Sequence, residues 1–234
     1  MPNYRSSEHN AAISDFTNKL REYTTKGVCG RPFVFVERLI QWLKSDGGAG
    51  GSQASRLLAA AYPKADPTFL PITTEQLCDR AEGCLLIFSI LLQLDWGDLI
   101  DEFWRREKVD KNLPIDLNWL RNTFKELRLP KFDADELAFR FDYFQWKYCP
   151  ARFDLNKGWT FIPKRIIPIC RRVEINQKGG TAQLWEIEVP EEFVGKKLRE
   201  VVKESRYDHE GGNGPVSQTC SFMVYFTRET LNDR

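Results

Sequence analysis

Apolar side chains recur every three or four positions over most of the first 148 residues, and then the pattern switches to alternation. Ile13, Phe16 and Leu20 predict an amphipathic helix over 11–23, ended before Lys26-Gly27. Pro32 stands at a helix-start position, and Phe35, Leu39 and Trp42 follow along one stripe, which predicts a second helix over 31–44. Residues 53–62 form a third, stopped by Pro63. Thr73 with Gln76 three residues later is a capping-box start. The element it opens runs into 84–94, with Gly83 as a point where it can restart. That run is apolar on nearly every face and belongs at the centre of a helical domain. Leu99, Ile100 and Phe103 mark a further helix over 98–106, and Leu117, Leu120, Phe124 and Leu127 another over 117–127. Asp133 with Glu136 caps a last helix over 134–148, with Leu137, Phe141 and Phe144 on one stripe and Pro150 ending it.

From there short β-branched or aromatic runs, separated by Gly, Asn and Pro, read as strands: 166–170, 172–175, 183–189 and 220–226. Leu184, Glu186 and Glu188 alternate with Trp185, Ile187 and Val189, which suits a sheet with one covered face. A short helix or helical loop is expected over 191–202. The fold class expected is α+β: a helical domain over 1–148, then a small antiparallel sheet domain over 149–234.

Composition narrows the function classes. Hydrophobic residues make up 42% of the 234 positions and aromatics 13%, enough large apolar surface for a real core. Lys and Arg number 34 against 33 Asp and Glu. That near-neutrality argues against a broad nucleic-acid footprint but leaves room for a local basic patch at Lys164, Arg165, Arg171 and Arg172. A solvated sheet edge is the plainer reading of those four. The six cysteines include no CxxC pair and the only histidines are His9 and His209, so neither a metal nor any other cofactor is expected. The N-terminus lacks the basic start and apolar stretch of a signal peptide, and the longest apolar run, 84–92, is too short to span a bilayer. An intracellular protein with reduced thiols and no membrane association is expected.

Four constellations invite chemistry. Asp46 to Ser52 is glycine-rich, but a phosphate cradle needs a preceding strand and a following Gly-Lys-Ser/Thr, so a flexible loop is expected. Asp208-His209-Glu210 sits in a Gly-rich stretch and reads as a solvated loop. Asp95, Asp98, Asp101 and Glu102 could support two-carboxylate chemistry, though negative charge at a helix start is the commoner use. Trp146, Trp159 and Trp185 are core candidates, any of which could be an exposed anchor at a protein interface.

Several segments in order carry a resemblance. They are 84–92, Asp98-Leu99-Ile100 with Phe103, Asp110-Lys-Asn-Leu-Pro114, Gln145-Trp-Lys-Tyr-Cys-Pro150, Ile166-Ile-Pro168 and the Gly179-Gly180 turn. This chain resembles a large group of fungal protein-kinase-like proteins, with a helical N-terminal region and the first strands of a kinase N-lobe. The resemblance implies a glycine turn at Gly179 and Gly180 and a phosphate-pairing lysine on the third strand. The sequence departs from that pattern at both points. Ala182 stands where the third glycine belongs, and Val224 where the lysine belongs. The eight residues after Phe226 leave no room for a catalytic loop or metal-binding Asp, so an incomplete, non-catalytic lobe is implied. The function expected is a non-enzymatic interaction or regulatory module in signalling, self/non-self recognition or host interaction, with a protein partner such as a kinase-like relative. The alternative is a winged-helix-like nucleic-acid binder over 134–189, which needs the four cations on one face.

Overall fold

The computed structural model describes residues 3–48, 51–66, 69–127, 133–154, 163–175, 182–204 and 219–227. The chain is α+β and divides into two units. The first comprises Met1–Thr24 and Val34–Cys149, the second Thr25–Phe33 and Pro150–Arg234. Thr25–Phe33 therefore goes with the sheet unit, not with the helices as its place in the sequence suggested.

In the first unit, α1 (Asn3–Glu22) is longer than its apolar stripe, and it buries Phe16 and Leu20. Helix α2 is Val36–Lys44 and α3 is Gln53–Ala61. Ser52 caps α3 by accepting from Ser55 N–H. The expected helix over 31–44 is corrected: Pro32–Val34 is strand and the helix begins at Val36. Phe33 and Val34 are aromatic and β-branched, residues that fit a pleated surface, and their strand pairs with Thr24–Lys26, which displaces Pro32 as a helix start. The capping box at Thr73 and Gln76 is present, but it opens only the four-residue α4 (Thr74–Leu77). A separate α5 (Leu85–Gln93) follows, buried on almost all sides at the centre of the core.

Helices α6 (Ile100–Arg105), α7 (Leu117–Glu126) and α8 (Ala134–Tyr148) pack their apolar stripes into the same core. Phe103 joins them: its ring stacks on Phe141 at 5.4 Å, meets Trp119 edge-on at 5.6 Å and lies 6.2 Å from Phe124. A fully buried Phe of this kind contributes on the order of 1.5–3 kcal/mol by removal from water alone. No helix among the described residues is long and apolar enough to cross a membrane.

Apart from their end residues Thr24 and Val34, β1 (Thr24–Lys26) and β2 (Pro32–Val34) belong to the second unit and form a two-stranded sheet around a turn at 27–31. Gly27 lies against the carbonyls of Ile167 and Ile169, where an added Cβ would come within 3.0 Å of the first, so a larger residue would force the segments apart. Val28 N–H donates to Ile169 O at 2.8 Å. The strand expected over 166–170 is corrected: the segment forms no strand, Ile169 N–H donates to Ile167 O at 2.9 Å, and single bonds such as that from Val28 tie it to its neighbours. Pro168 has no N–H to give a ladder, which accounts for the irregularity.

The three-stranded sheet has the order β3 (Arg171–Glu174), β4 (Ala182–Pro190), β5 (Thr219–Thr227), antiparallel throughout with β4 central. Ile187 and Val189 are buried, while Glu186 and Glu188 are half-buried, as the alternation required. The ring of Phe33 packs edge-on against Phe193 at 5.4 Å, and α9 (Lys196–Glu204) follows.

Candidate interaction surface

The basic cluster is divided by the sheet itself. Successive residues of a strand point to opposite faces, and directly paired residues share one. Arg171 pairs with Glu188 and Arg172 with Ile187, so the two arginines lie on opposite faces. Each is also occupied: Arg171 forms an ion pair with Glu188 at 2.7 Å, and the Arg172 guanidinium lies 4.4 Å from the centre of the Trp185 ring. Lys164 and Arg165 are exposed in a turn outside the ladder, where the carbonyls of Pro163 and Lys164 accept from Arg31 at 3.2 and 2.6 Å. The single face that the nucleic-acid alternative needs is therefore not formed by Arg171 and Arg172. They are exposed residues of an edge strand, as the plainer reading of the cluster had it.

The aromatic candidates fare differently from one another. Trp146 is buried at 9% exposure and cannot act as an exposed anchor. Trp185 is half-buried beneath Arg172. Trp159 lies outside the described residues, as do Gly179, Gly180 and the Asp208-His209-Glu210 stretch. Ala182 opens β4, and Val224 lies in β5 at the register position opposite Trp185.

Two further constellations turn out to be structural. The carboxylate of Asp101 accepts from Tyr62 Oη at 3.0 Å and pairs with Arg105, while Glu102 pairs with Arg105 at 2.7 Å and Arg106 at 3.6 Å. These carboxylates are committed to cations and a phenol, not to a reacting group. In the glycine loop, Gly47 N–H donates to Gly51 O, Gly51 N–H to Gly48 O, and Gly48 N–H to Asp46 Oδ1. Gly48 sits at φ +80°, which its missing Cβ permits. These amides are turned inward on the loop and offer nothing to an anion. Among the described residues no three His, Cys, Asp or Glu side chains come together as a metal site.

What the sequence reading missed is the outer face of α8. Asp133 caps this helix by accepting from Asp135 N–H at 2.8 Å. Leu137, Ala138, Phe141, Gln145 and Tyr148 turn inward. Phe139 and Tyr143, four apart and so one above the other on a helix, remain 50% and 74% exposed. They border a shallow depression of about 420 Å³ whose other walls include Asp133, Asp135, Glu136 and Arg140. The Arg121 guanidinium lies 4.5 Å from the Phe139 ring centre and its Nε is 3.3 Å from Asp135, which Lys125 also reaches at 3.0 Å. The Phe139 face is thus covered from α7 by the Arg121 guanidinium, which shares Asp135 with Lys125. The signal was available: 134–148 holds more aromatic residues than one helical stripe can bury.

No family model, no curated protein and no solved structure matches this chain.

The segment Gln145–Pro150 contributes cohesion. Gln145 is fully buried and serves one backbone residue twice: Oε1 accepts from Ile115 N–H at 2.7 Å, and Nε2 donates to Ile115 O at 3.0 Å. Its Nε2 also reaches Asp142 at 2.9 Å. Lys147 donates to Gln93 Oε1, and Gln93 Nε2 donates to the Tyr148 oxygen. Burial pushes the Lys147 amine down to about 8 and the Tyr148 phenol well above its ordinary value. Asp110 joins two other segments by accepting from Leu86 and Ile87 N–H at 3.0 Å, at the N-terminus of α5. Burial lifts its carboxyl to about 6, against the pull of those amides.

Proposed function

We propose that this chain is a non-catalytic protein-interaction module of the fungal kinase-like type, acting inside the cell, whose partner docks on the outer face of α8. The observation that carries the reading is the exposed pair Phe139 and Tyr143, bordering a depression, with Arg121 against the Phe139 ring. Rigid aromatic side chains with polar surroundings are what interface hot spots are made of. Beside them Asp135 pairs with Arg121 and Lys125. Five thiols, at Cys29, Cys78, Cys84, Cys149 and Cys170, are free, which agrees with a reducing compartment.

The kinase-like relationship rests on the order of the quoted segments, two of which, 84–92 and 110–114, are joined through Asp110. Val224 at the lysine position supports a lobe that does not grip nucleotide phosphates. The nucleic-acid alternative loses its support with the division of Arg171 and Arg172 between two faces. Calorimetric titration with Mg·ATP tests the non-catalytic half of the proposal. No binding heat and no phosphotransfer to a general substrate protein are expected; micromolar binding with phosphate transfer would overturn it.

A further inference from the structure

Strand β3 leaves one side of its sheet open. It is the outer strand of the order β3-β4-β5, and among the described residues no strand pairs with its free side. The alternate N–H and C=O groups of such a strand point away from its neighbour, ready to pair with another chain. Arg171, Arg172 and Val173 are exposed, and so is Ile175 just beyond the strand, with Val173 at 38% and Ile175 at 48%. The register against β4 sorts these side chains. Arg172 lies opposite Ile187 and Glu174 opposite Trp185, which puts Arg172 and Glu174 on one face. Arg171 and Val173, opposite Glu188 and Glu186, share the other face, and alternation places Ile175 with them. Arg171 already has its partner in Glu188, whereas no ion pair joins Glu174 to a cation among the described residues.

We propose that β3 is a self-association edge: a second copy of this chain adds its own β3 antiparallel to it about a two-fold axis at Val173, joining the two three-stranded sheets into one. Such an axis pairs the residue on it with its own counterpart and the flanking residues reciprocally. An axis at Arg171 or Arg172 would set two arginines directly opposite each other, and one at Glu174 two glutamates, arrangements that destabilise a strand pair. The axis at Val173 sets Arg172 of each copy opposite Glu174 of the other, two opposite-charge pairs on one face. On the other face Val173 meets its counterpart, Ile175 of each copy meets Arg171 of the other, and apolar surface exposed in the single chain is covered. Charge complementarity thus selects one register of the four centred within β3. The backbone bonds supply the attraction and the side chains the register. A contact of one short strand is small, so the dimer is a transient one. It draws on neither Phe139 nor Tyr143, and stands whether or not a partner docks on α8.

The test is sedimentation equilibrium of the full chain from about 10 µM to about 1 mM, a range suited to a small, transient contact. The parent mass is expected to rise with concentration from 27.3 kDa toward twice that value. Arg172→Glu and Glu174→Arg, each checked for parent-like circular dichroism, turn both charge pairs into like-charge contacts. Each variant alone is expected to associate at least about ten-fold more weakly than the parent. Mixed in equal amounts, the two are expected to regain the parent's association, because positions 172 and 174 are then both acidic in one chain and both basic in the other. The Phe139→Ser, Tyr143→Ser double variant is expected to associate as the parent does. A parent that stays at 27.3 kDa throughout would overturn the proposal. So would single charge variants that associate as the parent does, a mixture no stronger than its components, or association lost with the α8 double variant.

Discussion

Single residues carry more of this fold than their place in the sequence suggests. Gln145 stands within an aromatic helix, yet its amide satisfies both backbone groups of Ile115 at a fully buried position. Gln145→Leu keeps roughly the volume and leaves an N–H and a C=O buried and unpaired. At about 1–3 kcal/mol per group, a loss of about 2–4 kcal/mol is expected in urea denaturation. Lys147 acts in the opposite sense. Its folded-state proton affinity, about 8, lies below the unfolded value near 10.4, so its contribution to stability is fully present above pH 10.4 and is lost as pH falls through 8. Lys147→Met is therefore expected to stabilise the protein by about 1–2 kcal/mol at pH 7, a gain that shrinks as pH rises past 8 and has gone by about pH 11. Denaturant midpoints measured at the two pH values check this. Neither role was legible beforehand, because a periodic pattern places a residue on a face but does not reveal which backbone group lies across from it.

At the scale of elements, the sequence was most informative where capping chemistry and periodicity agreed. Asp133 and Thr73 each begin helices close to where they were expected to, and α7 and α8 run as their stripes required. It was least informative where neighbours decide the outcome. The segment over 31–44 split because Pro32–Val34 pairs with Thr24–Lys26, a partner that helical spacing cannot announce. Helix α5 gives the clearest element-scale case. Its apolar run has no capping side chain of its own at Cys84, and the cap comes from Asp110, 24 residues beyond the Leu86 amide it accepts from. Asp110→Ala is expected to cost about 1–2 kcal/mol by freeing the Leu86 and Ile87 amides, while Asp110→Asn, which keeps an acceptor, is expected to cost less than half of that. Thermal unfolding of the two variants separates them, and equal losses would mean that the cap contributes nothing.

On the scale of the whole molecule, the α+β class was readable from the change in periodicity after 148, while the membership of the sheet unit was not. Thr25–Phe33 belongs to that unit through bonds such as Val28 to Ile169, which join positions 141 residues apart. The basic patch failed for a related reason: proximity in sequence put Arg171 beside Arg172, and the strand then turned them to opposite faces. Exposed aromatics on α8 emerged instead, because a helix that buries Leu137, Phe141 and Tyr148 has no inward position left for Phe139 and Tyr143. The central claim is that this outer face of α8 receives a protein partner. Parallel affinity purification from the native source, with the parent chain and with a Phe139→Ser, Tyr143→Ser double variant of matching circular dichroism, tests it most directly. A protein retained saturably by the parent and lost by at least about ten-fold with the variant is the expected result; an identical set of proteins retained by both chains would contradict it.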